Sequence, residues 1–282
     1  MKTSRIIAGL VVALAAPAAH GQIELDCRLN TERVLLFESI PATLRVANHT
    51  GRALQFTGPK ANARLGFEIE QTPGIPLPPA AADLVEGELL LAPGESRSLT
   101  VDLLKAYRIR DTGPYSVRAR VEWGDKIYLS GKAFLDVLPG LEVARIMAGV
   151  PGSSDTRSFA LKTLTRNRSE QIFLQVDDDD RGACLGVVEL GRVVRQFAPT
   201  MEQDAKGYVH ILYQSSPWQF THAEVNPDGI PVGLKSFSAH SAEVRLEKGA
   251  DGAITVRGVA APADSSLFIP PVTAPPAGKR KR

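Results

Sequence analysis

Residues 210–222 gather two imidazoles (His210, His222), a serine (Ser215) and two large aromatics (Tyr213, Trp218). Two histidines on neighbouring strands are the minimum for sharing a proton or ligating a metal ion. Strand alternation sets His210 opposite to Ile211 and His222 opposite to Ala223, and the spacing supplies no third ligand. The favoured reading is therefore a pair of surface or interface histidines. The serine in Ser215-Ser-Pro-Trp218 invites a hydrolase, yet the stretch lacks a Gly-x-Ser-x-Gly elbow and a Ser-x-x-Lys pair. A turn that exposes Trp218 explains it better. Tyr213, Trp218 and His222 are the candidate binding residues, because an exposed indole beside a phenol can stack on a sugar ring or anchor a partner. The competing reading puts Trp218 in a core or between domains, where most large aromatics end up. His240 adds nothing at a recognisable spacing.

The sharpest acidic cluster is Asp177, Asp178, Asp179 and Asp180, followed by Arg181-Gly182. Carboxylates on a turn suit calcium, and these four are the metal candidates. An EF-hand-like loop needs alternate ligands and a distal Glu, neither of which is present. A solvated acidic hairpin tip is the simpler reading. Cys27 and Cys184 have no CxxC neighbour, which disfavours a zinc or redox site. They read either as a disulfide or as two separate buried thiols. No phosphate-cradling glycine loop, framed carboxylate pair or cofactor fingerprint occurs, so the expectation is no cofactor, no catalytic residues and a non-enzymatic role.

These residues sit in a 282-residue chain, long enough for one large or two modest domains. Lys2 and Arg5, an apolar run from Ile6 to Leu14 and small residues through Gly21 give residues 1–21 the layout of a secretory signal peptide. That run is too short to span a bilayer, and no later segment approaches the necessary length. The expected location is periplasmic or extracellular. Removing the two leader cations brings the net charge of +2 to zero, and four of the remaining cations are Lys279–Arg282. The body is thus formally near −4, which argues against nucleic acid as its partner.

From residue 22 to about 139, turn signals punctuate strands expected at 24–29, 34–37, 42–47, 53–56, 65–69, 88–91, 96–103, 115–123 and 126–137. Within this stretch lies Asp111-Thr-Gly-Pro-Tyr-Ser-Val-Arg-Ala-Arg-Val121. It resembles the corner before the penultimate strand of immunoglobulin-like domains. The resemblance implies structural roles for Asp111, Gly113 and Tyr115, with the tyrosine hydroxyl bonded back to the chain and Val117, Ala119 and Val121 pointing inward. The inter-sheet cysteine pair and core tryptophan of antibody domains are missing.

Strands are expected again at 159–164, 171–176, 184–190, 208–213, 219–225, 243–247 and 254–258. Asp204-x-x-Gly207 before one strand echoes Gly249-Ala-Asp-Gly252 before another, with the two glycines 45 residues apart. That stretch resembles the propeller-like β-repeats of uncharacterised secreted bacterial proteins. A closed propeller needs at least four blades, and this segment has room for two to two and a half. The expectation is a partial stack or second sandwich over residues 140–260, with completion by another copy as the alternative. Residues 261–282, rich in proline and ending Lys-Arg-Lys-Arg, read as a disordered tail able to contact anionic surfaces. Asn48-His-Thr50 and Asn167-Arg-Ser169 are sequons that matter only if the host glycosylates exported chains.

The sequence thus predicts an exported all-β protein, an Ig-like sandwich followed by an antiparallel meander domain. Its expected role is non-catalytic binding or scaffolding, with an envelope protein or a glycan as partner. A carbohydrate-binding module, or an envelope hydrolase or inhibitor with a loop-built site, is the alternative.

Overall fold

The computed structural model describes residues 22–259 apart from 73, 80–83, 86 and 240–242. The proposed leader, the basic tail and His240 lie outside the described residues. The first half contains β1 (Ile23–Leu29), β2 (Arg33–Leu35), β3 (Pro41–Asn48), β4 (Leu54–Gln55), β5 (Ala63–Gln71), β6 (Ile75–Pro76), β7 (Leu90–Leu91) and β8 (Ser96–Asp102). A one-turn helix, α1 (Leu103–Ala106), is capped by the Asp102 side chain and precedes β9 (Gly113–Trp123), β10 (Lys126–Leu129) and β11 (Ala133–Leu138).

Two sheets face each other. One has the order β1-β3-β8, the other β2-β11-β9-β5-β6 with β10 also on β9, and β2 runs parallel to β11. The sequence pattern explains the layering. Along β9, Tyr115, Val117, Ala119 and Val121 are buried between the sheets while the alternate residues face out. The Tyr115 hydroxyl donates to Asp111 O at 2.8 Å. Tyr107 adds a second plug: its hydroxyl donates to Phe67 O at 2.6 Å and accepts from Phe67 N at 2.9 Å. The expected strands 53–56 and 88–91 shorten to β4 and β7, β6 is an addition, and two further strands differ for a local reason. The segment 126–137 is two strands, because Ser130 takes over the backbone of Ala119 with its own N–H and Oγ. The segment 34–37 stops at Leu35, where Phe37 turns to φ 69° and Glu38 bonds back to Leu35 N.

The second half is three stacked antiparallel layers. The first is β12 (Leu141–Gly149), β13 (Thr156–Arg166), β14 (Ser169–Asp178) and β15 (Ala183–Arg192). The second is β16 (Thr200–Gln203), β17 (Val209–Ser216), β18 (Gln219–Val225) and β19 (Pro231–Ser238), and the third is the hairpin β20 (Arg245–Lys248) with β21 (Ile254–Arg257). Phe159, Leu161, Leu174 and Val176 of the first layer pack on Val209, Ile211, Tyr213 and Ala223 of the second. The other face of the second layer, through Leu212 and Phe220, receives Leu246 and Ile254 of the hairpin.

The stack does not close into a barrel, and both its ends are finished. The hairpin turns Arg245, Glu247, Thr255 and Arg257 outward, with Glu247 3.3 Å from Arg257, so its far face is polar. Terminal layers with a polar outer face are what a stacked architecture needs for solubility. At the opposite end Leu164 and Phe173 are covered by Leu35 and Leu138 of the sandwich. Arg166 joins this seam, 2.7 Å from Glu38 and with its guanidinium 5.1 Å from the Phe173 ring centre. Only Pro139 and Gly140 separate β11 from β12, and a Cβ at Gly140 would come within 2.5 Å of Leu35 Cδ2.

Successive layers also grip one another at the turns after their first strands. Gln203 Nε2 donates to Gly149 O at 2.9 Å, and Lys248 Nζ donates to Gln203 O at 2.9 Å. Gly207 packs under Pro151, and Gly252 under Ala205, so closely that a Cβ on either would overlap its neighbour. Each layer thus ties down the end of the strand before it. These ties account for the repeated glycine spacing in the sequence.

Candidate functional site

β17 and β18 form a hairpin whose loop is Pro217-Trp218. Gln214, fully buried, donates through Nε2 to Pro217 O at 3.0 Å and to Gln196 Oε1 at 3.3 Å. That amide ties the loop to the segment after β15, and Phe197 from this segment lies 5.6 Å from the Phe220 ring. Ala239 N donates to Trp218 O at 3.1 Å. The loop is therefore held from both sides and presents Trp218 at 61% exposure, and Phe197 in the tied segment is 36% exposed. Ser215 braces the same hairpin: its Oγ donates to Gln219 O at 3.3 Å and accepts from Thr221 Oγ1 at 3.0 Å.

Tyr213 is placed elsewhere. It is 3% exposed, faces the first layer, and its hydroxyl donates to Leu190 O. Burial pushes that phenol's pKa up. The structure does not bring Tyr213 together with Trp218 or His222, because Tyr213 pairs with Thr221 and His222 with Leu212 on the opposite face.

The two histidines do meet. His210 and His222 stack with ring centres 5.1 Å apart and planes 8° from parallel, and His210 Nδ1 lies 3.0 Å from His222 Nε2. On the other side of the His210 ring, Nε2 is 3.5 Å from Asp204 Oδ2. Burial pushes the His222 pKa down to about 4, helped by His210 and Lys235. Burial raises the Asp204 pKa, but N–H donation from Tyr208, the contact with His210 and N–H donation from Lys206 outweigh it, so the net shift is downward. The three groups form a chain and not a cage: the carboxylate sits at the nitrogen of His210 that points away from His222, so their lone pairs do not converge on one point.

The acidic run is also divided among separate partners. Asp178 is almost fully buried, 2.7 Å from Arg157 and 3.1 Å from Arg181. Asp177 accepts from Gln175 Nε2 at 2.8 Å, and Asp180 accepts from Thr156 N at 3.0 Å. The solvated tip expected for this run is corrected at Asp178, since the register sets Arg157 directly across from it on β13. Among the described residues no group of three or more His, Cys, Asp or Glu side chains is arranged to hold a metal ion. Cys27 and Cys184 are separate free thiols, with pKa values pushed up mainly by burial to about 11 and about 12. Two open depressions lie along the first strands of the layers, of about 260 and 370 Å³, and both are bordered by Gln203 and Asp204. Among the described residues no helix is long and apolar enough to cross a membrane.

No family model matches the chain, and no curated protein matches it. Among solved structures it is similar to Spo0M, a sporulation control protein from Bacillus subtilis. That match has 13% identity and a TM-score of 0.25, over 61% of this chain and 90% of the other. It is similar also to the periplasmic chaperone SfaE, with 12% identity and a TM-score of 0.23, over 58% and 98%. Likeness this distant carries no argument about the present chain, and the site has to be read from its own geometry.

Sequence reasoning did not find Phe197, which reaches the Phe220 ring from an irregular segment, or Gln214, whose burial no local pattern announces. The Asp204–His210 contact had a readable sign in the short turn ahead of β17. The pairing of His210 with His222 required the register.

Proposed function

We propose that the chain is an exported, non-catalytic binding or scaffolding protein of the cell envelope, built from a sandwich of residues 22–139 and a stack of blade-type repeats over residues 140–260. One observation carries the reading: Trp218 stands exposed in a loop that Gln214 fixes from beneath, and Phe197, next to the Gln196 that the same amide holds, is exposed as well. Large aromatics that are both exposed and held contribute apolar contact area on binding at little entropic cost. The leader-like residues 1–21 support export, and the partner is an envelope protein or a glycan.

The glycan reading, a carbohydrate-binding module, has support from the same two rings, since flat aromatic faces stack on sugar rings. A hydrolase reading has less. Ser215 is engaged with Thr221 and Gln219, while the facing nitrogens of His210 and His222 are engaged with each other.

The test is capture from native envelope extract with the full mature chain, alongside a glycan array. Trp218→Ala and Phe197→Ala are each expected to reduce binding at least tenfold while the chain keeps its fold, read by circular dichroism. Full-strength binding by the double variant would sink the assignment. Retention on glycans in place of protein would select the second reading.

A further inference from the structure

The face of the second layer that carries His210 and His222 also carries Leu212 and Phe220, and the hairpin β20–β21 covers it through Leu246 and Ile254. His210 is 6% exposed. Asp204, at the end of the same chain of contacts, builds the turn that grips the hairpin. Its Oδ1 accepts from Lys206 N at 2.9 Å and Tyr208 N at 2.8 Å, and the neighbouring Ala205 N donates to Gly252 O at 3.1 Å. Histidine pair, turn and hairpin are therefore one connected unit.

We propose that the His210–His222 pair is an acid-sensitive latch that holds the β20–β21 hairpin on the stack and releases it when both rings carry a proton. The contact between Nδ1 and Nε2 needs a proton on one nitrogen and a lone pair on the other. Asp204 favours a proton on the far nitrogen of His210, which leaves Nδ1 free to accept from His222. The pair can take up one proton and still keep its hydrogen bond, now charge-assisted. A second proton places two N–H groups head to head at 3.0 Å and two positive charges on a pair of which His210 is buried and His222 partly buried.

Counter-charge surrounds one ring and not the other. Glu202 and Glu224 are the cross-strand neighbours of His210 on β16 and β18, whereas Lys235 on β19 is the neighbour of His222. From the hairpin, Lys248 reaches Gln203 O close by, while Arg245, Glu247 and Arg257 are on its far side. The ring that must accept the second proton is thus the one beside a lysine.

The direction of the pH effect follows. His222 takes its proton at about pH 4 when covered, against about 6.5 for a free histidine. The released state binds the proton more readily, so docking of the hairpin is fully favoured above about pH 6.5 and weakens as pH falls toward 4. The docking equilibrium is expected to drop by up to tenfold per pH unit in that window, roughly 300-fold in all. Release bares Leu212, Phe220, Leu246 and Ile254 and leaves the sandwich and first layer in place.

Hydrogen exchange of the full chain at pH 7.0, 5.5 and 4.5, corrected for intrinsic rates, tests this. Protection of residues 245–257 should fall roughly 60-fold between pH 7.0 and 4.5 while β14 keeps its protection, and His222→Gln should flatten the pH dependence of the hairpin. Parallel loss in hairpin and β14, no loss in either, or an unchanged slope in His222→Gln would each overturn the latch. NMR titration of the His222 ring in the unmodified chain decides independently of the variant's folding. A ring that protonates near pH 6.5 with the hairpin still protected would also overturn it.

Discussion

Asn48 is fully buried at the end of β3, and its amide ties three segments together. Nδ2 faces Arg52 O at 2.7 Å and the carbonyls of Leu91 and Ala92 at 3.1 Å, while Oδ1 accepts from Thr50 N and Thr50 Oγ. Its sequon is therefore occupied internally: in the folded chain the nitrogen that would receive a glycan is already committed. Asn48→Ala leaves several buried backbone groups without partners and is expected to lower stability by about 3 kcal/mol, read as a shift in urea midpoint at constant m. The aromatics of the central hairpin should separate by the same reasoning. Tyr213→Phe loses one buried hydroxyl bond to Leu190 O and should cost about 1 kcal/mol. Trp218→Ala, at the exposed loop, should act chiefly on binding and keep the fold.

At the scale of elements, the turn ladder is the feature that makes a stack out of separate meanders. Gly207 has φ 87° and Gly252 φ 78°, and each lies against the preceding turn where a side chain has no room. Gly207→Ala combines left-handed backbone strain with overlap at Pro151 and is expected to destabilise by about 2 kcal/mol or more, measured by chemical denaturation. The repeated spacing that announces these turns was legible in the sequence, as were the strands that lie inside sheets, β14 and β18 above all. The strands that escaped are β6, β12, β16 and β19, and all four are sheet edges. An edge strand is open along one flank, so its residues do not alternate cleanly between buried and exposed. In β12, Leu141, Arg145 and Met147 are all exposed, and β19 begins with Pro231. The histidine pair was half legible, since alternation gave each ring a face but only the register sets them diagonally across β17 and β18. The Phe197–Phe220 contact left no trace, because the irregular segment that carries Phe197 has no periodicity to read.

For the whole molecule, the seam between sandwich and stack decides whether the two halves behave as one. Its apolar part is small, with Leu35, Leu138, Leu164 and Phe173 at the centre, and its polar part is the buried Glu38–Arg166 pair. Burial pushes the Glu38 pKa up, against the lowering influence of Arg166 and of Leu35 N–H. Removing the arginine leaves a buried carboxylate without its counter-ion, a loss of about 3–5 kcal/mol for pairs of this kind. Arg166→Met should accordingly uncouple the halves, so that calorimetry at pH 7 resolves two transitions in place of one. The pH dependence of that variant has a definite sign. With the folded Glu38 pKa raised above its unfolded value, the native state binds the extra proton, so the seam strengthens as pH falls toward the unfolded value and weakens as pH rises through the folded one. The two transitions of Arg166→Met should draw together between pH 7 and 5.5. In Glu38→Gln/Arg166→Met, which has no carboxylate at the seam, their separation should stay constant over the same range. That comparison removes any contribution from the histidine pair, which both variants share. A single transition at pH 7 in Arg166→Met would place the coupling in the leucine–phenylalanine contacts instead, and Phe173→Ala would then be the substitution that splits the molecule.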